Sequence, residues 1–329
     1  MNIRSTRRSP SSRPSIAIVI PSHNRAAEIG ETLASIRNQH GGLPAIGAIY
    51  IADDCSTDGT AAAAVAAWGD AAPPMRLLQP AGNLGQFGNV NAALGALMDA
   101  HDWVIFLHDD DTARFDWLAR LTERIQACAA TVASVCSSWD VLYDRSLAEI
   151  GEDDPLRDVE LVASSDAAVR STLLRGCWWH FSGAAIRTEA LRRVGLFDEA
   201  LPQCADWDWL LRCLADGWSV EYIPRALVRY RQHRQSVSTK SFRTHQDLAE
   251  HLLLLHRYGR FLQRSDIWMV HRRLGTYAGR RAARAVLQVR PTGVWRAART
   301  GVGIARSCAR MLAAAAADGA DRSPQGGTT

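Results

Sequence analysis

The sequence predicts an α/β fold, with a mostly parallel central sheet flanked by helices and a helical extension at its C-terminal end. Two observations predict it. From Ser15 to about Leu142, short apolar runs alternate with longer segments of helical period, the signature of βα units whose strands are buried on both faces. The first four runs also end in polar residues, and sheets of this class bind ligands in the crevice beyond the carboxyl ends of their strands. A chain of 329 residues, 47% hydrophobic and 22% charged, has the length for a large core and the composition of a soluble globular protein. No apolar run approaches the roughly 20 residues that span a bilayer.

The elements follow in order. Residues 1–14 are basic and rich in Ser and Pro; they lack the apolar centre of a secretory signal and read as a disordered tail. SIAIVI (15–20) is strand-like, and Ala26 to Arg37 carries Ile29, Leu33 and Ile36 at helical spacing. AIGAIYI (45–51) is a second strand, Thr60 to Trp68 an Ala-rich helix, MRLLQ (75–79) a third strand and Asn89 to Asp99 a helix. WVIFL (103–107) is the fourth strand, after which Phe115, Trp117, Leu118 and Leu121 open another helix. From Cys177 the pattern is mixed: WWHFSGAAI (178–186) reads as strand and turn, Thr188 as the cap of a short helix to Val194, and Asp206 to Ala215 as a helix. SVEYI and ALVRYR read as two short strands. Residues 241–317 form a basic helical extension, and 318–329 a polar, disordered tail.

The strand ends carry the chemistry. They read PSHNR (21–25), DDCSTDGT (53–60), NLGQ (83–86) and HDDD (108–111). Three adjacent carboxylates repel one another, and a hard divalent cation held by oxygen ligands offsets that cost; the competing reading is a loop that caps the next helix. Seven scattered cysteines without CxxC spacing read as free thiols of a reducing compartment and exclude a disulfide framework or a zinc site. The formal charge of +4 hides an asymmetry, because Arg257 to Arg310 holds thirteen arginines and one acid, a net +12 that leaves −8 elsewhere.

In order and spacing, IVIPSHN, DDCSTDGT, NLGQFGNVN, FLHDDD, GLFDEAL and ADWDWLLR resemble the motifs of the family 2 glycosyltransferases, over roughly residues 15 to 238. The resemblance implies the GT-A fold, a Rossmann-like architecture, over 15–240, with a nucleotide-binding half (15–142) and an acceptor and catalytic half (143–240). It implies that Asp53 and Asp54 contact the nucleobase or ribose, with Pro21, Asn24 and Arg25 supplying the wall from the first strand, while Ser56 and Asp58 shape the turn. Asn83, Gly85 and Asn91 resemble the next motif, near nucleotide and sugar. The arginine often found just before that last asparagine is Val90 here, so no phosphate-binding cation is expected at this point.

The acidic cluster corresponds to the family's DxD element, whose acids bind Mg2+ or Mn2+ on the diphosphate. His108 stands where the first Asp often stands. Motif spacing puts Asp110 and Asp111 at the final acidic positions, whereas in an extended segment Asp109 and Asp111 would share a face. Both registers include Asp111; Asp111 is the first metal ligand, joined by Asp109 or, in the motif register, by Asp110, and both Asp109 and Asp110 are expected on the donor. Asp206 occupies the position of the catalytic base, although the preceding glutamate is Ala205, and Asp208 is the more structural of the two. Trp179 or Trp207 is expected to stack on an acceptor sugar, His180 to be a satisfied core histidine, and Arg231 or His233 to reach the diphosphate.

The expected activity is therefore inverting, metal-assisted transfer of a sugar from a nucleoside-diphosphate sugar to a hydroxyl of a glycan or lipid-linked acceptor in cell-surface polysaccharide synthesis. A nucleotidyltransferase would carry a Gly-rich basic loop after the first strand, which PSHNRAAEIG lacks. A non-catalytic nucleotide-sugar-binding module has no need of the base. The basic segment 257–310 reads as peripheral contact with an anionic membrane, with the protein cytoplasmic, at the inner face; the competing readings are ordinary solvated helix faces, or docking against the acidic body or a second subunit. No nucleic-acid motif accompanies the charge, and the oligomeric state is left open.

Overall fold

The computed structural model describes residues 13–143, 159–232, 237–288 and 291–321. Most of the two expected tails, and His233, lie outside them. The parallel half is built from β1 (Ile16–Ser22), α1 (Ile29–Arg37), β2 (Ile46–Asp53), α2 (Thr60–Trp68), β3 (Met75–Leu78), α3 (Gln86–Leu97) and β4 (Trp103–Phe106). β1 is buried at all seven positions and pairs in parallel with β2 and β4, while β3 adds to β2. Its isoleucines join Ile29, Leu33 and Ile36 of α1 and Trp68 of α2 in one core. This is why unbroken apolar runs, rather than alternating ones, mark these strands.

The mixed half follows: β5 (Thr112–Ala113), α4 (Trp117–Ala127), β6 (Val132–Tyr143), β7 (Glu160–Val162), α5 (Asp166–Arg175), β8 (Ala185–Arg187), α6 (Thr188–Val194), α7 (Ala205–Ala215) and β9 (Ser219–Gln232). Among the described residues the sheet runs β3-β2-β1-β4-β8-β6-β9-β5, with β7 also on β9. β8 is antiparallel to β4 and β6, whereas β6 and β9 are parallel.

Three local expectations are corrected. SVEYI and ALVRYR are one strand of 14 residues. Pro224 does not end it, because the register shifts there, from Ser137 opposite Ile223 to Ser138 opposite Ala226, and a bulge is where a strand tolerates a residue without an N–H. Thr188 does not cap α6; its hydroxyl donates to the carbonyls of His101 and Asp102 and ties the helix start to the loop before β4. Of WWHFSGAAI, only the last two residues lie in a strand.

The chain divides into two compact units: residues up to 168 with 177–233, and residues 169–176 with 234–329. The second contains α8 (Val237–Thr244), α9 (Gln246–Arg257), α10 (Arg264–Leu287) and α11 (Pro291–Asp321). Within it, Arg170 forks onto Asp266 at 2.6 and 2.7 Å and Arg281 onto Asp247 at 2.8 and 2.6 Å. Ser307 Oγ bridges His256 and His271 at 2.9 Å each. Among the described residues no helix is long and apolar enough to cross a membrane.

Candidate functional site

The site is built where β4 ends. The chain turns at once, the Asp111 N–H donating to the His108 carbonyl at 3.3 Å. Three neighbours hold this turn. The Thr32 hydroxyl of α1 donates to the carbonyls of Asp109 and Asp111 at 3.0 and 2.8 Å, the Ser182 hydroxyl accepts the His108 N–H at 3.0 Å, and the Arg231 N–H of β9 donates to Asp111 Oδ1 at 2.9 Å. Arg231 also gives Nε to the Asp110 carbonyl and Nη2 to Glu31, so it braces the acidic turn.

Because 108–111 is a turn, strand alternation does not apply to it. Ligand atoms of His108, Asp110 and Asp111 lie within 4.8 Å of one another. Asp109, expected to join Asp111 at a metal, instead points to the first strand end, where its Oδ2 accepts the His23 N–H at 3.0 Å and Arg25 Nε lies 4.0 Å from Oδ1. Arg25 Nε is 3.5 Å from Asp110 Oδ2. Asp111 is wholly buried and its Oδ2 has no hydrogen-bond partner, nor has His108 Nε2. Burial, and then the nearby Asp110 carboxylate, push the Asp109 carboxyl up to about 7 and raise Asp111 likewise. Burial also lowers the His108 imidazole, which keeps a ring nitrogen available as a ligand. An imidazole and two carboxylates, one of them with a buried oxygen that has no hydrogen-bond partner, fit a divalent cation.

The two carboxylates at the second strand end are occupied by neighbouring protein groups. Asp54 accepts the N–H groups of Leu84 and Gly85 at 2.7 and 2.8 Å, and Asp53 accepts the Ser56 hydroxyl and Gln79 Nε2. Both carboxylates are buried, so the pair holds the loop that a nucleotide would meet. Asp58 accepts the N–H groups of Ala26 and Thr60, both at 3.0 Å. Asn24, with φ of 53°, accepts the Thr57 N–H at 2.8 Å and donates to His23 Nε2. Pro21 is buried in β1. Together these bonds lock PSHNR against DDCSTDGT.

Asn83 donates to the Asp54 carbonyl at 3.1 Å, and Gly85, with φ of 75°, is the turn into α3, a conformation that favours glycine. Asn91 donates to the Phe197 carbonyl and Glu199 Oε1, both at 2.9 Å, and so joins α3 to the GLFDEAL segment. Val90 is wholly buried, which explains why no cation stands there.

Asp206 lies in the first turn of α7, its Oδ1 accepting the Trp207 N–H at 2.7 Å. Asp208 is wholly buried and receives Arg212 Nε at 2.8 Å, while the same guanidinium donates to the carbonyls of residues 194–196. Trp179 and Trp207, expected to stack on an acceptor, are 1% and 5% exposed and offer it no face. Trp179 is consumed in packing: its indole N–H goes to Ser134 Oγ and its ring meets Trp209 at 5.3 Å and Phe181 at 6.2 Å. Phe181 in turn meets His108 at 5.5 Å, so an aromatic cluster runs from the acidic turn to α7. His180 donates to the Ser182 carbonyl at 2.7 Å and stacks on Trp139; burial lowers its pKa to about 4.

Thr32, Ser182 and Gly183 were not legible as site residues. Thr32 left a signal, a hydroxyl inside the Ile29, Leu33, Ile36 stripe. Gly183 has φ of 92°, and its carbonyl accepts the Trp117 indole N–H at 3.1 Å.

Residues 17–152 match the model of Glycosyl transferase family 2. The succinoglycan biosynthesis protein ExoO of Rhizobium meliloti is 32% identical over 232 residues, which cover 68% of this chain and 63% of that protein, under two thirds of its length. Among solved structures, Staphylococcus aureus TarS 1–349 with UDP-GlcNAc superposes with a TM-score of 0.55 at 15% identity, covering 89% of this chain and 90% of that one. The mannosyltransferase PcManGT of Pyrobaculum calidifontis, with GDP-Man and Mn2+, gives a TM-score of 0.55 at 18% identity, covering 92% and 88%. These likenesses show the GT-A fold.

Proposed function

Because the chain belongs to the family 2 glycosyltransferases, we propose that it transfers a sugar, with inversion, from a nucleoside-diphosphate sugar to a hydroxyl of a glycan or lipid-linked acceptor in polysaccharide synthesis. The observation that carries this reading is the acidic turn at the carboxyl end of β4, where His108, Asp110 and Asp111 converge and a buried Asp111 oxygen has no donor. It stands beside the locked loops of β1 and β2, where a doubly wound sheet receives a nucleotide. The UDP-sugar and GDP-sugar bound by the structural relatives support a donor of this class.

In a single displacement the acceptor oxygen attacks the anomeric carbon from the face opposite the diphosphate. Asp206 accepts the hydroxyl proton, and the carbon–oxygen bond to the diphosphate breaks with its electron pair leaving on the phosphate oxygen. A divalent cation, Mg2+ or Mn2+, held by His108, Asp110 and Asp111 would neutralise the charge on that leaving group. Asp109 and Arg25 hold the first strand end against the acidic turn, and Arg231 keeps Asp111 aimed. In the second unit, Trp268 and Trp295 are 56% and 63% exposed, with Arg272 and Arg299 stacked on them at 5.0 and 5.5 Å. Such pairs suit the interface of an anionic membrane, and a cytoplasmic protein at the inner face follows from that reading.

The test is a donor screen. The purified full chain, with Mn2+ or Mg2+, is offered UDP-, GDP- and dTDP-sugars, and free nucleoside diphosphate is measured with and without lipid-phosphate or glycan acceptors. Release from one donor class that requires the cation is the expected result. A chain that neither binds nor cleaves any of these donors overturns the reading.

A further inference from the structure

The helical unit contains a cavity of about 840 Å3 formed by α9, α10, α11 and the short turn after α9, within the ~300–1,000 Å3 range of small-molecule sites. Its walls divide by chemistry. Leu262, Ile267 and Met311 give an apolar lining, and Arg260, Arg264 and Arg310 line the same cavity. No acid lines it. Asp247 pairs with Arg281 and Asp266 with Arg170. Among the described residues none of the three arginines forms an ion pair, and only Arg260 has a stacking partner, Phe261 at 4.8 Å. Arg310 also lies close enough to His256 to depress its pKa, after the larger effect of burial.

Among the described residues these three arginines have no paired carboxylate, so an anion that joins them relieves their mutual repulsion. The guanidinium fork matches phosphate oxygens in pairs. The apolar lining adds a demand that free phosphate does not meet. We propose that this cavity binds a phosphate-bearing amphiphile, with the phosphate on Arg260, Arg264 and Arg310 and the hydrocarbon against Leu262, Ile267 and Met311. Binding requires neither sugar donor nor cation, so the proposal stands independently of the transfer reaction.

The experiment is calorimetric titration of the full chain with octyl phosphate below its micellar concentration, beside octyl glucoside and inorganic phosphate. Saturable binding of octyl phosphate is expected, at least about tenfold tighter than either control. The Arg264→Gln, Arg310→Gln double variant should weaken octyl phosphate by about tenfold or more. Ala314→Phe, which fills the cavity and leaves the arginines, should abolish binding, and Asp111→Asn should leave it unchanged. Equal binding of octyl glucoside removes the anion from the proposal, and equal binding of inorganic phosphate removes the apolar wall; either overturns it. Undiminished binding in a folded double variant or in Ala314→Phe overturns it as well. If the double variant does not fold, the comparison of three ligands on the unaltered chain still decides.

Discussion

The backbone N–H of Arg231 donates to Oδ1 of Asp111 at 2.9 Å, leaving Oδ2 of the same carboxylate buried with no hydrogen-bond partner. One oxygen is fixed by β9, and the other is presented to the space shared with His108 and Asp110.

Asp111→Asn keeps the volume and the Arg231 contact but removes the charge. Cation-dependent donor binding is expected to be lost while the melting temperature holds or rises, since an amide tolerates burial better than a carboxylate. Titration calorimetry with Mn2+ and donor checks this; donor affinity that stays dependent on the cation in the variant would contradict it.

Asp206→Asn should separate binding from chemistry. Donor affinity is expected to stay within about twofold while turnover falls by ~10²–10⁴, the usual contribution of a positioned base. Near-normal turnover in the variant would remove Asp206 from the mechanism.

The acidic turn gives the metal-free protein an unusual pH dependence. The folded-state pKa of Asp109 is raised from 3.8 to about 7, so the folded chain holds this proton more tightly than the unfolded chain. That contribution is complete below about pH 4 and is lost as pH rises through about 7. In chelator, melting temperature should therefore fall from pH 5 to pH 8, and Mn2+ should restore more stability at pH 8 than at pH 5. A larger effect of Mn2+ at pH 5 would count against a cation at this turn.

His108→Asp probes the imidazole. Nitrogen ligands favour the later transition metals over Mg2+, so the variant is expected to narrow the gap between Mn2+ and Mg2+ affinity, read by calorimetry without donor. An unchanged ratio would place His108 outside the coordination sphere.

Asp208→Asn tests a structural role. Asp208 is wholly buried against Arg212, whose side chain is 24% exposed, and breaking a buried pair costs roughly 3–5 kcal/mol. The lower part of that range is expected here because Arg212 keeps some solvent. Denaturant unfolding measures it, and a loss below about 0.5 kcal/mol would mark the pair as a surface contact.

Much of this molecule is legible in its residues. Periodicity and strand-end composition locate β1 to β4 because β1, β2 and β4 are buried along almost their whole length and the polar residues begin where each strand stops. Asp111 stands out through charge placed where charge is costly, and Asp206 through its place at the start of the helix in ADWDWLLR. The rest depends on contacts remote in sequence. Thr32 reaches Asp109 across 77 positions and Arg231 reaches Asp111 across 120, and neither spacing follows a local rule. Whether Asp109 or Asp110 faces His108 depended on a turn replacing an extended segment, a choice made by Thr32, Ser182 and Arg231 together. Trp179 and Trp207 misled for a related reason, since an indole beside a site and an indole beneath it are spelled alike.

The bonds by which Asp53, Asp54, Asp58 and Asn24 tie the loops after β1, β2 and β3 to one another have a kinetic meaning. The wall that a donor would meet is ordered when the chain folds, so little conformational entropy remains to be lost on association. Donor capture is then expected to proceed as a single fast phase, with no slow loop closure following it.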